Sequence, residues 1–496
     1  MKRARRPELQ RETNTSLLAA SPNGGAPELL DDIYCIARNA WPVLIGQLAL
    51  VAFETIDTTM VGRYSAVDLA ALGLGASIYI PLYLAVAGVL AGLQQIVGRL
   101  AGKRRHEIIG AYVREAVWLA VILMVIGCAM LYYPRPFVHI AHPSEAVAQR
   151  TIAYLRILSF GLPAGLCFAI FSAFSNGISN PRPPMAILLI ALIVKLPLNK
   201  WFIYGGLGVP ALGGPGAALA STLAFWVAAL ISVMLIARDR RYRRYAVAQN
   251  FSWPRKRRQY ALIRLGVPIG TSSLIEIASY TSMTLFIARF GTTVLAAQQI
   301  VVNLGAMLYM LPLSIGIATS TLVSQRIGAG AREAAHVIAR RGVSFAATCA
   351  TVCSSIILVA RPLVVTGYTS NPQIIAAAMP LLTIVAFYHL ADAVQVSAAF
   401  VLRAYGRTLV PTVIYTISLV GIGLCGGYLV GFGEVSVPWL PLSGGARGFW
   451  WANTVSLACA GIGLLTYWHS VATKPTQRKR SLRDIEEAQA ATRVRH

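Results

Sequence analysis

Apolar runs long enough to cross a bilayer, about 20 residues each, recur twelve times along the chain. They fall near 41–61, 68–94, 112–133, 151–174, 185–204 and 213–237. After a basic stretch they resume near 262–290, 294–322, 344–365, 380–402, 408–430 and 446–468. Each run predicts a membrane-spanning helix, so the fold class expected is an all-α polytopic membrane protein. The polar connections alternate in character. Basic residues gather at 99–105, 182, 238–258, 326–341, 403–407 and in "KPTQRKRSLR", which are every second connection. Basic loops stay on the cytoplasmic side, so both termini are expected there.

The pattern also repeats at a fixed offset. Pro42 and Pro268 stand 226 residues apart, and at the same offset "LAA" 69–71 meets "LAA" 295–297. Gly102 meets Gly328, Glu107 meets Glu333, Leu155 meets Leu381 and Gly205 meets Gly431. An offset held over most of a half-chain predicts two pseudo-symmetric six-helix lobes. The repeat is parallel, because six helices return the chain to its starting side. The expected organisation is a disordered cytoplasmic tail over 1–34, an N-lobe over 35–237 and a basic cytoplasmic linker over 238–261. A C-lobe over 262–470 and a cytoplasmic tail over 471–496 follow. Two such lobes suit alternating access around a central cavity, an architecture that several transporter classes share.

Composition narrows the class. The chain is 56% hydrophobic and 13% charged, whereas a soluble protein carries about 25% charged residues. A net charge of +25 would point to nucleic acid in a soluble chain. Here the charge sits in the tails and between apolar runs, so the partner is the lipid bilayer and nucleic acid is excluded. The N-terminal stretch is basic but has no apolar core, which argues against a signal peptide. Six of the seven cysteines lie within apolar runs and none forms CxxC, so they read as small hydrophobes rather than disulfide or zinc ligands. The nearest approach to a nucleotide-binding loop, "GRLAGKR" at 98–104, is one residue short and lacks the Ser/Thr that would ligate magnesium. No hydrolase motif appears either, so the chain is read as no enzyme and as needing no cofactor beyond a coupling ion.

The few acids inside apolar runs carry the chemistry. A carboxylate at membrane depth costs several kcal/mol, so it faces a cavity, pairs, or marks a path. Glu54 and Asp57 sit near the end of the first run, three residues apart on one helix face. Glu276 lies well inside the seventh run, in "TSSLIEIASYTS". Asp392 lies well inside the tenth, with Tyr388 one turn before it and placed to donate its hydroxyl. In a wet, low-dielectric cavity a carboxylate can exchange proton, metal ion and organic cation. Sodium, a hard cation, takes oxygen ligands, which Asp57, Asn199, Glu276, Asp392 and Tyr388 can supply.

The stretches "ETIDTTMVGRYSAVDLAALGLGASIYIPL", "SNGISNPRPPM", "PLNKWFIYG" and "FYHLADAVQVSAAFVLRAYG" resemble the multidrug and toxic compound extrusion (MATE) family, among its branches most closely the bacterial NorM type. The resemblance spans about residues 35–470 and recurs in register in both halves. It implies twelve helices in two V-shaped lobes that export cationic, often aromatic, drugs against inward sodium or proton flow. By that resemblance Asp57 matches the N-lobe carboxylate, Glu276 the seventh-helix acid, Asp392 with Tyr388 the tenth-helix motif, and Asn199 the polar residue of "PLN". One position departs from the pattern. Where the family has Asn before "PLN", this chain reads "VKLPLN", with Lys195. Lys195 and Asn199 are one turn apart, and the ammonium is expected to reach Asp57 and take the place of a bound cation. Lys200 is expected to be an interfacial anchor.

The reading is a monomeric secondary antiporter of the bacterial inner membrane that exports organic cations in exchange for Na+ or H+. Its ion-coupling residues are Glu276, Asp392, Tyr388 and Asp57; Glu276 and Asp392 also serve for drug and sodium, and Lys195, Asn199 and Asp57 line an N-lobe cavity. The alternative is a flippase for lipid-linked precursors, which would favour a basic cavity for phosphate; the acidic C-lobe argues against it.

Overall fold

The computed structural model describes residues 26–206, 208–247, 253–433 and 444–473. Among them are twelve helices long and apolar enough to cross a membrane, and the only β pairing is an isolated bridge between Gly206 and Val209. In the first half these are α1 (Ala26–Tyr64), α2 (Ala66–Gly102), α3 (His106–Tyr132), α4 (Glu145–Gly177), α5 (Arg182–Tyr204) and α6 (Gly214–Arg238). The second half holds α7 (Lys256–Ala288), α8 (Thr292–Gly328), α9 (Arg332–Tyr368), α10 (Pro372–Ala404), α11 (Leu409–Gly431) and α12 (Gly445–Thr473).

The repeat read from the sequence is a repeat of helices. α2 and α8 begin and end 226 residues apart, and α3 and α9 begin at that spacing. Each half forms a lobe of its own. α4 packs between α2 and α6, and α10 packs between α8 and α12. The N-lobe core runs through Leu90, Leu93, Leu155, Phe171 and Phe174, all at most 1% exposed. The C-lobe core is divided among clusters around Ile315, Val401 and Leu402, around Met283, Leu381 and Trp450, and around Tyr415, Leu419 and Leu457.

Three boundaries differ from the sequence reading. α1 starts at Ala26, inside the segment expected to be a disordered tail. Tertiary contacts order this turn: Ile36 and Ala40 belong to the C-lobe core, and Asp32 pairs with Arg326 and Arg341. Residues 1–25 lie outside the described residues. The basic linker is shorter than expected, since α7 begins at Lys256. It is also anchored, because Tyr242 and Tyr245 are buried and the Tyr242 hydroxyl bonds Ser175 on α4 (2.9 Å). At the other end α12 runs to Thr473, past the expected start of the C-terminal tail; residues 474–496 lie outside the described residues.

The lobes meet where α2 crosses α7. Each helix presents a Gly-x-x-x-Gly face, Gly88 and Gly92 against Gly266 and Gly270. A Cβ on Gly88 would stand 2.8 Å from the Cα of Gly270, so only glycine permits this approach. Among the described residues, every hydrogen bond between the lobes falls on the face that holds the start of α1, the start of α7 and the ends of α2 and α8.

One helix departs from α geometry. In α11 the segment Ile417–Cys425 is a π-helix, a form that appears in most proteins as a single-turn bulge. It is rich in glycine and packs on α12, where the Ser456 hydroxyl donates to the Ser418 carbonyl (2.8 Å).

Candidate functional site

In the N-lobe the site is a closed polar cluster between α1, α5 and α6. Asp57 is 6% exposed, Lys195 1% and Asn199 0%. Lys195 Nζ donates to Asp57 Oδ2 at 2.8 Å and to the Phe53 carbonyl at 2.9 Å. Asn199 Nδ2 donates to Asp57 Oδ1 at 2.7 Å, and the Ser221 hydroxyl donates to Oδ2 at 3.1 Å. The ammonium also lies 4.4 Å from the centre of the Phe53 ring, within cation–π range.

Every part of this arrangement has a local cause. Lys195 and Asn199 share one face of α5 at a spacing of one turn, and that face is buried against α1 and α6. Asp57 can stay charged out of water only because an ammonium and two neutral donors satisfy both of its oxygens. Both carboxylate oxygens already accept hydrogen bonds, so a second cation would have to compete with the ammonium for them.

Glu54 does not join this cluster. It is exposed while Asp57 is buried, although their spacing places them near the same face. Two residues three apart on a helix differ by about 60° in direction, enough here to divide them between the lobe interior and its surface. Lys200 is exposed.

The C-lobe site has a different form. Glu276 lines a cavity with Ser272, Tyr309, Gln395, Arg403, Thr412 and Tyr415, contributed by α7, α8, α10 and α11. Its carboxyl faces the Tyr415 hydroxyl and lies within electrostatic reach of Asp392 and Arg403. Asp392 is 5% exposed. The Arg403 guanidinium packs over the Phe400 ring at 4.4 Å, and no carboxylate among the described residues lies within ion-pair distance of it. Arg403 and Tyr309 were missing from the sequence reading. Arg403 follows an apolar run and reads as a loop charge, and neither Tyr309, Tyr415 nor Ser221 stands in a motif.

The bond expected from Tyr388 to Asp392 is absent among the described residues. Side chains on a helix tilt toward its N-terminus, so the Tyr388 ring leans away from Asp392. It meets Trp450 edge-on at 5.3 Å, and Trp450 in turn meets Tyr280 at 6.1 Å. Tyr388 therefore belongs to an aromatic wall above the acids.

The two sites are not copies of each other. The stretch of α11 that corresponds to the Lys195–Asn199 turn of α5 is the π-helical segment, which carries Gly421 and Cys425 at the offset of 226. The fold is duplicated; the charge chemistry is not.

A family model described as MatE matches residues 42–201 and 268–429. The probable multidrug resistance protein NorM of Aromatoleum aromaticum is 35% identical over 427 residues, covering 86% of this chain and 91% of that protein. The multidrug resistance protein NorM of Vibrio cholerae is 33% identical over 438 residues, covering 87% and 94%. Among solved structures, the Vibrio cholerae MATE transporter VcmN in the bent form superposes with a TM-score of 0.79 at 19% identity, covering 90% of this chain and 98% of that one. The eukaryotic MATE transporter AtDTX14 gives 0.78 at 17% identity with the same coverage.

Proposed function

The chain belongs to the MatE family, and on that premise we propose that it is a secondary antiporter exporting cationic, aromatic drugs across the inner membrane. The coupling ion, Na+ or H+, uses the C-lobe acids Glu276 and Asp392. The observation that carries this division of labour is the Asp57–Lys195 pair at 2.8 Å. It fills the N-lobe carboxylate with a built-in cation, whereas Glu276 faces a cavity with hydroxyls around it.

With both termini in the cytoplasm, the face on which the lobes are hydrogen-bonded together is the cytoplasmic one. A coupling ion entering from outside meets Glu276 and Asp392. Its binding displaces a drug cation held by the same charges, because two cations compete for one pair of carboxylates. The partly exposed rings of Tyr280 and Tyr388, backed by the buried Trp450, offer flat faces to an aromatic cation.

Ethidium efflux from cells lacking their own pumps tests the reading, with a sodium or a proton gradient imposed alone. Efflux driven by one gradient is expected, with loss in Glu276→Gln and in Asp392→Asn. Efflux that persists in both variants at equal expression would overturn the role of the C-lobe acids.

A further inference from the structure

The face on which the lobes close is built from matched pairs of contacts related by the internal repeat. At its centre Gln94 Nε2 donates to the Thr321 hydroxyl (2.9 Å) and reaches the Ser320 hydroxyl, a residue 226 positions away and hence its own repeat partner (3.5 Å). The pseudo-twofold axis therefore passes between them. Outward from it, Arg99 donates to the Ala404 carbonyl at the end of α10 (2.6 Å), while Gln325 donates to the Gly177 carbonyl at the end of α4 (2.9 Å). Arg99 and Gln325 are again repeat partners. Each supplies a donor to the last carbonyls of a helix in the opposite lobe, groups that have no partner within that helix.

The outermost contacts are the strongest. Asp32, at the start of α1, accepts from Arg326 (2.9 Å) and from Arg341 on α9 (2.6 Å), and Arg341 also donates to the Glu28 carbonyl (2.9 Å). The repeat partner of Arg341 is Glu115 on α3. Glu115 is 1% exposed and accepts from the Arg255 backbone N–H (3.0 Å) and the Gln259 amide (2.8 Å) at the start of α7. In each lobe the third helix thus holds the first helix of the other lobe. The position is conserved between the halves but the polarity is reversed: a guanidinium grips a carboxylate on one side, and a carboxylate grips a helix N-terminus on the other.

We propose that Asp32 and Glu115 are the positioning residues of a two-armed gate on this face, and that both arms must release for the lobes to open there. Each arm spans the lobes, so opening leaves a partner of the carboxylate without its charge-assisted bonds. The two arms open together because one rigid rotation of the lobes breaks both. The proposal rests on the alternating-access reading for its place in transport, but its geometry does not depend on drug or ion.

The test is a cysteine-free protein reconstituted in lipid nanodiscs, with Ser320→Cys as reporter at the axis, where Ser320 is 0% exposed. A second reporter, Ala224→Cys, sits in the N-lobe core, also at 0%. With a bulky maleimide and no drug or ion gradient, the Ser320 reporter is expected to label slowly in the parent. Asp32→Asn and Glu115→Gln are each expected to raise that rate about tenfold, the double variant more, through loss of a charge-assisted bond network. Asp32→Glu restores slow labelling, and the Ala224 reporter stays silent throughout. A double variant that labels at the parental rate overturns the gate. So does a rise that the Ala224 reporter follows in step, which would signify general unfolding. A protein that shows the gate but exports no drug leaves the gate standing and removes the export reading.

Discussion

Lys195 is a long charged side chain at 1% exposure, and it persists there because Asp57, the Phe53 carbonyl and the Phe53 ring surround the ammonium. Removing one member of a buried ion pair strands the other and costs about 3–5 kcal/mol. Asp57→Asn and Lys195→Asn are therefore each expected to lower stability by that order, and the double variant by clearly less than their sum. Denaturant unfolding of the purified variants measures the coupling; additive losses would show that the two charges do not sense each other. The C-lobe acids are expected to behave differently. Glu276→Gln and Asp392→Asn keep size and polarity, so folded yield should be near that of the parent while export falls to background. Yield on size exclusion and ethidium efflux at matched expression check both halves of that expectation.

At the scale of elements, the crossing of α2 and α7 depends on four glycines. Inserting methyl groups into a packed contact costs about 1–3 kcal/mol, and at Gly88 the clash is with backbone, which cannot rotate away. Gly88→Val is expected to lower the melting temperature and to separate the lobes, whereas Gly73→Val is expected to be neutral, since a Cβ there meets nothing within 4 Å. A thermal melt of the two variants side by side distinguishes a crossing-specific effect from a general penalty on glycine replacement. α11 shows the same dependence of shape on small residues. Its π-helical segment packs glycine Gly423 against Asn453 and Ser456 of α12, 3.1 Å from where a Cβ would stand.

At the scale of the whole molecule, the alternation of basic connections predicts that the linker and both termini share one side. Arg240→Cys, in an exposed position of the linker, is expected to resist a membrane-impermeant thiol reagent added to intact cells and to react in inside-out vesicles. Labelling in intact cells would reverse the topology and, with it, the side on which the lobes are closed. The duplicated architecture also explains why the transporter can hold two unlike sites. Six helices per lobe set the rigid bodies, and each lobe is then free to carry its own charges: a neutralised pair in one, and an acid facing a cavity in the other.

Hydropathy alone determined the number of helices, because about 20 apolar residues in a row have no alternative to a helix in a bilayer. The 226-residue offset determined the two lobes, and the rarity of acids in apolar runs singled out Glu54, Asp57, Glu276 and Asp392. The pairing of Lys195 with Asp57 was legible through the family resemblance, in which Lys195 stands where relatives carry Asn; the run of charges alone left Glu54 as a second nearby carboxylate. Helix ends were not, because the turns of α1 before residue 35 and of α7 before residue 262 are polar and are held by contacts from the opposite lobe. Nor was the outward direction of Glu54 or the orientation of Tyr388, which depend on small differences in angle around a helix. The cross-lobe grips of Asp32 and Glu115 and the Arg403 side of the Glu276 cavity join residues up to 309 positions apart. No local pattern encodes such contacts; the grips exist only once the two lobes have been brought face to face by their glycine crossing, and the cavity only once α7, α8, α10 and α11 have packed within the C-lobe.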